Sequence, residues 1–152
     1  MKFRKVEKDD LNILAELFDS YRVFYKKNSD IEKAKIFLSQ RLNKKDSEIF
    51  VAETLDNRLV GFVQLYPLFS STRMKKLWLL NDLFVEPKFR NKGISIGLIE
   101  KAKQLVIETD ACGMFLETEK SNFIGNKLYP KTNFVLNEGS NFYEWSNNEE
   151  MT

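Results

Sequence analysis

The stretch from Leu77 to Thr109 constrains this chain most, because it must end a strand, make a basic turn and begin a helix within a few residues. Leu77 to Val85 reads LWLLNDLFV, a run rich in strand formers. Pro87 closes it by withholding a ladder donor. Downstream, Ile94, Leu98, Ala102, Leu105 and Val106 recur with a helical period up to about Thr109. Between the two lies Arg90-Asn91-Lys92-Gly93-Ile94-Ser95. A strand that feeds a helix through such a turn leaves the first helical N–H groups unpaired and converging on one spot, where the dipole also favours negative charge. Gly93 lets an anion approach the backbone, and Arg90 and Lys92 add positive charge. The segment is a candidate phosphate cradle, although R-x-x-G-x-S alone also describes an ordinary basic surface turn.

The chemistry open to the chain is narrowed by what it lacks. With no histidine and one cysteine, it cannot build a His-bearing triad, a Cys–His pair or an ordinary zinc site. Carboxylates, Tyr, Ser and the backbone remain, and no metal is expected. The 24 basic residues nearly balance 22 acidic ones, which argues against a dedicated nucleic-acid surface. No apolar block approaches the length of about 18 residues that a membrane span needs, and no signal-peptide pattern opens the chain. A cytoplasmic protein without membrane contact is expected. Cys112 precedes an apolar strand and reads as a buried structural thiol.

Alternation over Lys2–Val6 predicts a first strand. Asp9-Asp10 then caps a helix lined by Leu11, Leu14, Ala15, Phe18 and Tyr21, and a polar break at Asn28-Ser29-Asp30 precedes a second helix carrying Ile31, Ala34, Leu38 and Leu42. Glu48–Thr54 and Arg58–Leu68 read as a hairpin turned at Asp56-Asn57. Strand 76–85 and the helix after it come next. Met114–Thr118 is expected to lie parallel to strand 76–85, because a helix connects them. A short helix, Asn122–Tyr129, stops at Pro130, and Phe134-Val135 and Phe142–Trp145 read as closing strands. The expected order is β-α-α-β-β-β-α-β-α-β-β, an α/β domain over 1–146 with a disordered tail at 147–152.

This order, the V-x-P and R-x-x-G-x-S sequence, and Asn122-Phe-Ile-Gly-Asn-Lys-Leu-Tyr129-Pro-Lys-Thr-Asn133-Phe134 together resemble the GCN5-related N-acetyltransferase (GNAT) superfamily. Its usual forms are R/Q-x-x-G-x-G/A and N-x-x-A-x-x-L-Y-x-x-x-G-F. Ser95, Gly125 and Asn133 depart from these patterns, and none of the three changes removes a functional group. The resemblance covers about residues 3–146 and implies a mixed central sheet of six to seven strands flanked by about four helices. It also implies acetyl-CoA as co-substrate. The cradle residues Arg90, Asn91, Lys92, Gly93, Ile94 and Ser95 would take its phosphates, and Leu83, Phe84 and Val85 its pantetheine arm and thioester carbonyl. The Asn122 side chain would also bind it, and Tyr129 would be the general acid.

Acyl transfer to an amine poses two proton problems. An alkyl ammonium with a pKa near ~10.4 must lose a proton before it attacks, and a thiolate of pKa roughly 8.5 must gain one as it leaves. Asn81-Asp82-Leu83-Phe84-Val85 resembles the E-D-F-F-V stretch of the diamine and polyamine acetyltransferases, where an acidic pair handles the amine. Here the first acid is Asn. That leaves Asp82, or Glu117 acting through water, as the base, with a structural role for Asp82 equally open. Simple alternation puts Asn81 and Leu83 on one face and Asp82 on the other, unless a bulge re-aims them. Tyr21, Phe24 and Tyr25 with Tyr66, Phe69 and Trp78 form either core or an aromatic wall for an amine, with Tyr25, Asn81 and Glu117 as candidate substrate contacts. The expected activity is acetyl transfer to a primary amine of a small molecule such as a polyamine, a lysine analogue or an amino acid. Acetylation of protein lysines or N-termini, and a non-catalytic CoA-binding module, are the alternatives. A homodimer is implied by the resemblance.

Overall fold

The first strand is short because its backbone ladder runs out where Glu7 begins a 3₁₀ turn. The computed structural model describes residues 1–147; of the expected tail at 147–152, residues 148–152 lie outside them. The chain divides into two units, Met1–Glu117 and the residues from Thr118 onward. In the first unit, β1 (Lys2–Lys5), α1 (Leu11–Phe24), α2 (Ile31–Lys44), β2 (Glu48–Glu53), β3 (Leu59–Ser70), β4 (Lys75–Val85), α3 (Ile94–Glu108) and β5 (Met114–Phe115) succeed one another. They form one sheet in the order β1-β2-β3-β4-β5, antiparallel except for β4 and β5, which α3 connects in parallel.

Asp30 caps α2 by accepting the Lys33 N–H at 3.0 Å. Asp10, at the start of α1, is engaged differently: Arg4 reaches it from β1 with two N–H groups, at 2.7 and 2.9 Å, and also holds Glu53 of β2 at 2.9 Å. The Glu7 N–H adds a bond of 2.7 Å to the same carboxylate. One face of the sheet carries α1 and α2 over a core that includes Leu14, Phe18, Leu38, Ile49, Val51, Phe62 and Phe84. Helix α3 packs against the strands with Leu98, Ile99 and Ala102 buried. It can lie close to β1 because residue 97 is glycine; a Cβ there would sit 2.1 Å from the Phe3 ring.

The pairing of β3 with β4 slips once. Gln64 lies opposite Asp82, but Leu65 lies opposite Leu80, which leaves Asn81 unopposed as a β-bulge. The extra residue reverses the facing of β4. Asp82 and Phe84 share a face with Gln64 and Phe62, under α1 and α2, whereas Leu80 and Trp78 share the other with Leu65 and Pro67. Trp78 accordingly donates its Nε1–H to Thr109 at the end of α3, at 2.9 Å.

The second unit contains α4 (Phe123–Lys131). Pro130 does not end it, since a proline in the last turn costs one N–H and the chain closes around it: the Asn133 N–H reaches the Pro130 carbonyl at 3.0 Å and the Phe134 N–H reaches that of Tyr129 at 2.9 Å. Asn133 takes the left-handed conformation, φ 71°, that such a closure requires.

The expected class is present, but the count of six to seven strands is corrected to five among the described residues. Phe134-Val135 and Phe142–Trp145 form no strand, and Met114–Thr118 pairs only through Met114 and Phe115. Strand propensity in two to four residues supplies too few ladder bonds unless a neighbour buries the side chains. Here Val135 and Leu136 are exposed, and Asn137 spends its side chain on the local Gly139 N–H at 3.0 Å. Cys112 is half-buried, not enclosed.

Candidate active site

At the β4 bulge a carboxylate is buried among amides. Asp82 is 6% exposed and Gln64 fully buried. Gln64 donates its Nε2–H to Asp82 at 2.9 Å and accepts the Ser47 hydroxyl at 3.0 Å. Asn81, lifted out by the bulge, turns its Nδ2 back onto both Asp82 oxygens at 3.1 Å. Tyr66, two residues along β3, stands on the same face. Burial first, and the charge of Asp82 second, push its phenol up to about 12. Arg41 and Asp46 close this side as an ion pair at 2.9 Å, with the Arg41 guanidinium over the Phe37 ring. Neither Gln64 nor Ser47 belongs to a motif, although a glutamine spaced two from Phe62 and two from Tyr66, on an inward strand face, is a visible signal.

Beyond the bulge, β4 has a neighbour on one side only. Pairing with β5 stops at Trp78 and Leu79, so among the described residues Leu80 to Val85 face no strand on that edge. Leu83, Phe84 and Val85 occupy this half-free stretch, with Phe84 and Val85 buried. Alternate residues of an antiparallel strand aim their backbone groups at the partner, so along this stretch Leu83 and Val85 turn theirs to the open edge, where the sheet supplies no partner, while Phe84 is paired with Phe62.

The strand leads through a 3₁₀ turn at Pro87–Phe89 to the cradle. Asn91 (φ 63°) and Gly93 (φ 78°) both take left-handed conformations, and Gly93 begins α3 with no side-chain cap. A Cβ on Gly93 would meet nothing within 4 Å. Glycine is therefore required there by the backbone conformation, not by crowding, and the space in front of the first turn of α3 is open. Two left-handed residues ahead of a helix N-terminus form a concavity of N–H groups suited to an anion. Ile94 anchors the turn in the core, Ser95 is half-buried behind it, and Asn91, Lys92 and Gly93 are exposed. Acetyl-CoA phosphates fit such a cradle.

Arg90 has a different occupation from a free surface charge. Its Nε–H donates to the Val85 carbonyl at 2.9 Å, and its guanidinium carbon lies 5.1 Å from the Phe24 ring centroid and 5.5 Å from that of Phe84. It ties the cradle to the end of β4 and to the end of α1. Lys92 lies over the Phe89 ring, 5.3 Å from its centroid.

The expected aromatic wall forms only in part. Tyr21, Phe24 and Tyr25 do cluster, with centroids of Tyr21 and Tyr25 5.0 Å apart, and the cluster continues to Phe62 and Phe84. Trp78 belongs to the opposite face of the sheet because of the bulge, and Phe69 is 77% exposed at the end of β3. Glu117 is exposed, past the end of β5.

In the second unit, Asn122 caps α4: its Oδ1 accepts the Gly125 N–H at 3.1 Å and its Nδ2 donates to Thr118 Oγ1 at 2.8 Å. A Cβ on residue 125 would crowd Asn122 Nδ2, so the glycine makes room for the cap itself. Tyr129 is half-buried with its ring edge-on to Phe134, centroids 5.7 Å apart.

The pattern of the acetyltransferase (GNAT) family matches residues 13–134. This chain belongs to that family. A Bacillus subtilis relative described as the uncharacterized N-acetyltransferase YhfO is 38% identical over 139 residues, spanning 91% of this chain and 93% of its own. A crystal structure of a probable acetyltransferase superposes with a TM-score of 0.94 at 35% identity, covering 99% of this chain and all of that one. An aminoglycoside acetyltransferase from a soil metagenome, in complex with sisomicin, reaches a TM-score of 0.79 at 26% identity over 95% of each chain. The GNAT fold and N-acetyltransferase activity thus account for the sheet, the half-free β4 edge and the cradle together. The family uses acetyl-CoA as its co-substrate. Among the described residues no helix is long and apolar enough to cross a membrane.

Proposed function

We propose that this enzyme transfers the acetyl group of acetyl-CoA to a primary amine of a small molecule, by direct attack of the amine nitrogen. The observation that carries the reading is the pairing of an open, left-handed Asn91–Gly93 cradle with a half-free β4 edge that contains a buried carboxylate. The cradle would hold the phosphates through backbone N–H groups, Arg90 keeping it in place from behind. Leu83 and Val85 would turn backbone donors toward the thioester carbonyl. Acetyl-CoA supplies an activated acyl group; the chain supplies alignment and proton management. Asp82 would receive the amine, and a proton would leave through it to water. Tyr129 would return a proton to the departing thiolate, the role its place in L-Y-x-x-x-N-F implies. The similarity to an aminoglycoside acetyltransferase solved in complex with sisomicin supports a small-molecule acceptor.

The test is thiol release from acetyl-CoA with a panel of small amines, run beside Gly93→Val and Tyr129→Phe. Gly93→Val should fold, at a cost of about 1–2 kcal/mol for a branched residue in the left-handed region, and should lose acetyl-CoA binding measured by calorimetry. Tyr129→Phe should keep binding and lower kcat by on the order of 10² to 10⁴, the usual worth of a general acid. Wild-type protein that shows no heat with acetyl-CoA and releases no thiol with any amine would overturn the reading.

A further inference from the structure

Asp82 is a buried carboxylate without a cation. Its side-chain partners are the neutral amides of Gln64 and Asn81, and among the described residues no Lys or Arg is in ion-pair contact with it. The nearby Arg41 is committed to Asp46. Buried charges are ordinarily paired, because burial withdraws the water that stabilised them. Here three polar groups are instead spent on holding the charge alone. Gln64 is 0% exposed, so neither end of its amide can turn to water. Its Nε2–H faces a carboxylate that can only accept, which obliges its Oε1 to find a donor, and Ser47 is that donor. The chain Ser47 O–H to Gln64 C=O, then Gln64 N–H to Asp82, runs in one direction and polarises each link. Beside it the Tyr66 hydroxyl has no hydrogen bond among the described residues, and faces the same side of the sheet.

We propose that Ser47 and Gln64 are positioning residues of the acceptor site, holding Asp82 as an uncompensated buried anion so that the acceptor enters as a single small ammonium, with the Tyr66 phenol beside it as a further hydrogen-bonding wall. The proposal rests on the acetyl-transfer reading for the chemical step, but not for binding of the amine. The class of ligand is set by the charge count. Asn81 stands where a second acid would add another negative charge, so one carboxylate meets one ammonium, and a neutral alcohol of the same shape has nothing to neutralise. Arg41 and Asp46, the other charged groups facing Tyr66, act on it in opposite directions and are paired with each other.

The side-chain amide signals of Gln64 and Asn81 in the ¹⁵N-labelled full chain read the carboxylate directly. Titration with n-butylamine at neutral pH should shift both signals saturably, and n-butanol should not. Asp82→Asn should abolish the effect. Ser47→Ala and Gln64→Met should each weaken butylamine binding about tenfold, the worth of roughly one hydrogen bond in the relay, and Ser47→Thr should recover it. In turnover the loss should appear in KM for the amine and not in kcat, which a general loss of structure would not produce. If Gln64→Met does not fold, the Ser47→Ala and Ser47→Thr pair decides. Butanol shifting the signals as butylamine does, butylamine shifting neither, or Ser47→Ala binding like wild type would overturn the inference. Butylamine binding without acetyl transfer to any amine would leave it standing and refute the transfer reading. Transfer with an unchanged amine KM in Ser47→Ala would do the reverse.

Discussion

Arg90→Lys separates two ways in which a basic residue can serve an anion site. If Arg90 contributed charge to the phosphates, lysine would replace it with little loss. If it braces the cradle, lysine fails, because an ammonium offers neither a fixed Nε–H nor a planar face. The structure favours the brace, and the magnitude can be worked from its contacts. The 2.9 Å bond from Nε to the Val85 carbonyl has a charged donor and is worth about 1.5–3 kcal/mol. The Phe24 and Phe84 rings add about 0.5–1 kcal/mol each, at the low end for Phe24, which is 57% exposed. Such terms overlap, so Arg90→Ala should destabilise the fold by about 2–3 kcal/mol, with Arg90→Lys recovering less than half of that.

Affinity changes by a separate route. Without the brace, Asn91 to Gly93 must be ordered when the ligand arrives, and fixing even one residue's backbone costs about 1–2 kcal/mol. Both variants should therefore bind acetyl-CoA roughly tenfold or more weakly. Urea unfolding gives the first quantity and calorimetry at low and high salt the second. The salt dependence should be similar in wild type and Arg90→Lys, since the charge survives, while the affinity falls. Wild-type affinity and stability in Arg90→Lys would refute the brace and restore Arg90 as a phosphate charge.

Arg4 holds Asp10 and Glu53 below their ordinary values of 3.8 and 4.5, chiefly by hydrogen bonding to both; depressed carboxylates stabilise the fold above those values and lose that contribution as pH falls through the lower folded ones. Arg4→Met should accordingly lower the melting temperature near neutrality and flatten its decline under acid, and an acid limb as steep as wild type would show that the pair contributes nothing to it. Gly97→Ala should gain about 1 kcal/mol of helix propensity but lose about 1–3 kcal/mol to overpacking against Phe3, and Phe3→Leu in the same chain should relieve the loss in a double-mutant cycle. With no histidine to titrate, kcat/KM for an alkyl amine should climb toward alkaline pH as the free base accumulates; a rate flat between about pH 6 and 9 would count against attack limited by amine deprotonation.

Local chemistry makes part of this molecule legible in its sequence. Pro87, Gly93 and the period of α3 state a strand, a turn and a helix without reference to anything distant, and Asp30 states the start of α2. The features that stay hidden depend on partners. Leu77 to Val85 is apolar on both of its faces, so alternation carries no mark of the residue at which the faces exchange. That residue is fixed by β3, where Gln64 pairs with Asp82 and Leu65 with Leu80. The bulge then decides three matters at once: Trp78 leaves the side of the aromatic cluster, Asn81 is freed to turn back, and Asp82 comes to face α1 and α2. Asn122 is hidden in the same way, since its amide reads equally well as a ligand donor or a helix cap until Thr118 and Gly125 are seen around it. The C-terminal aromatics read as strands on propensity alone, and propensity is realised only against a neighbour. Function here is thus set less by which polar residues the chain carries than by one unpaired position in one strand, since with residue 81 paired in regular alternation Gln64 would lie opposite Asn81, and Asp82 would lie opposite Val63 on the α3 side.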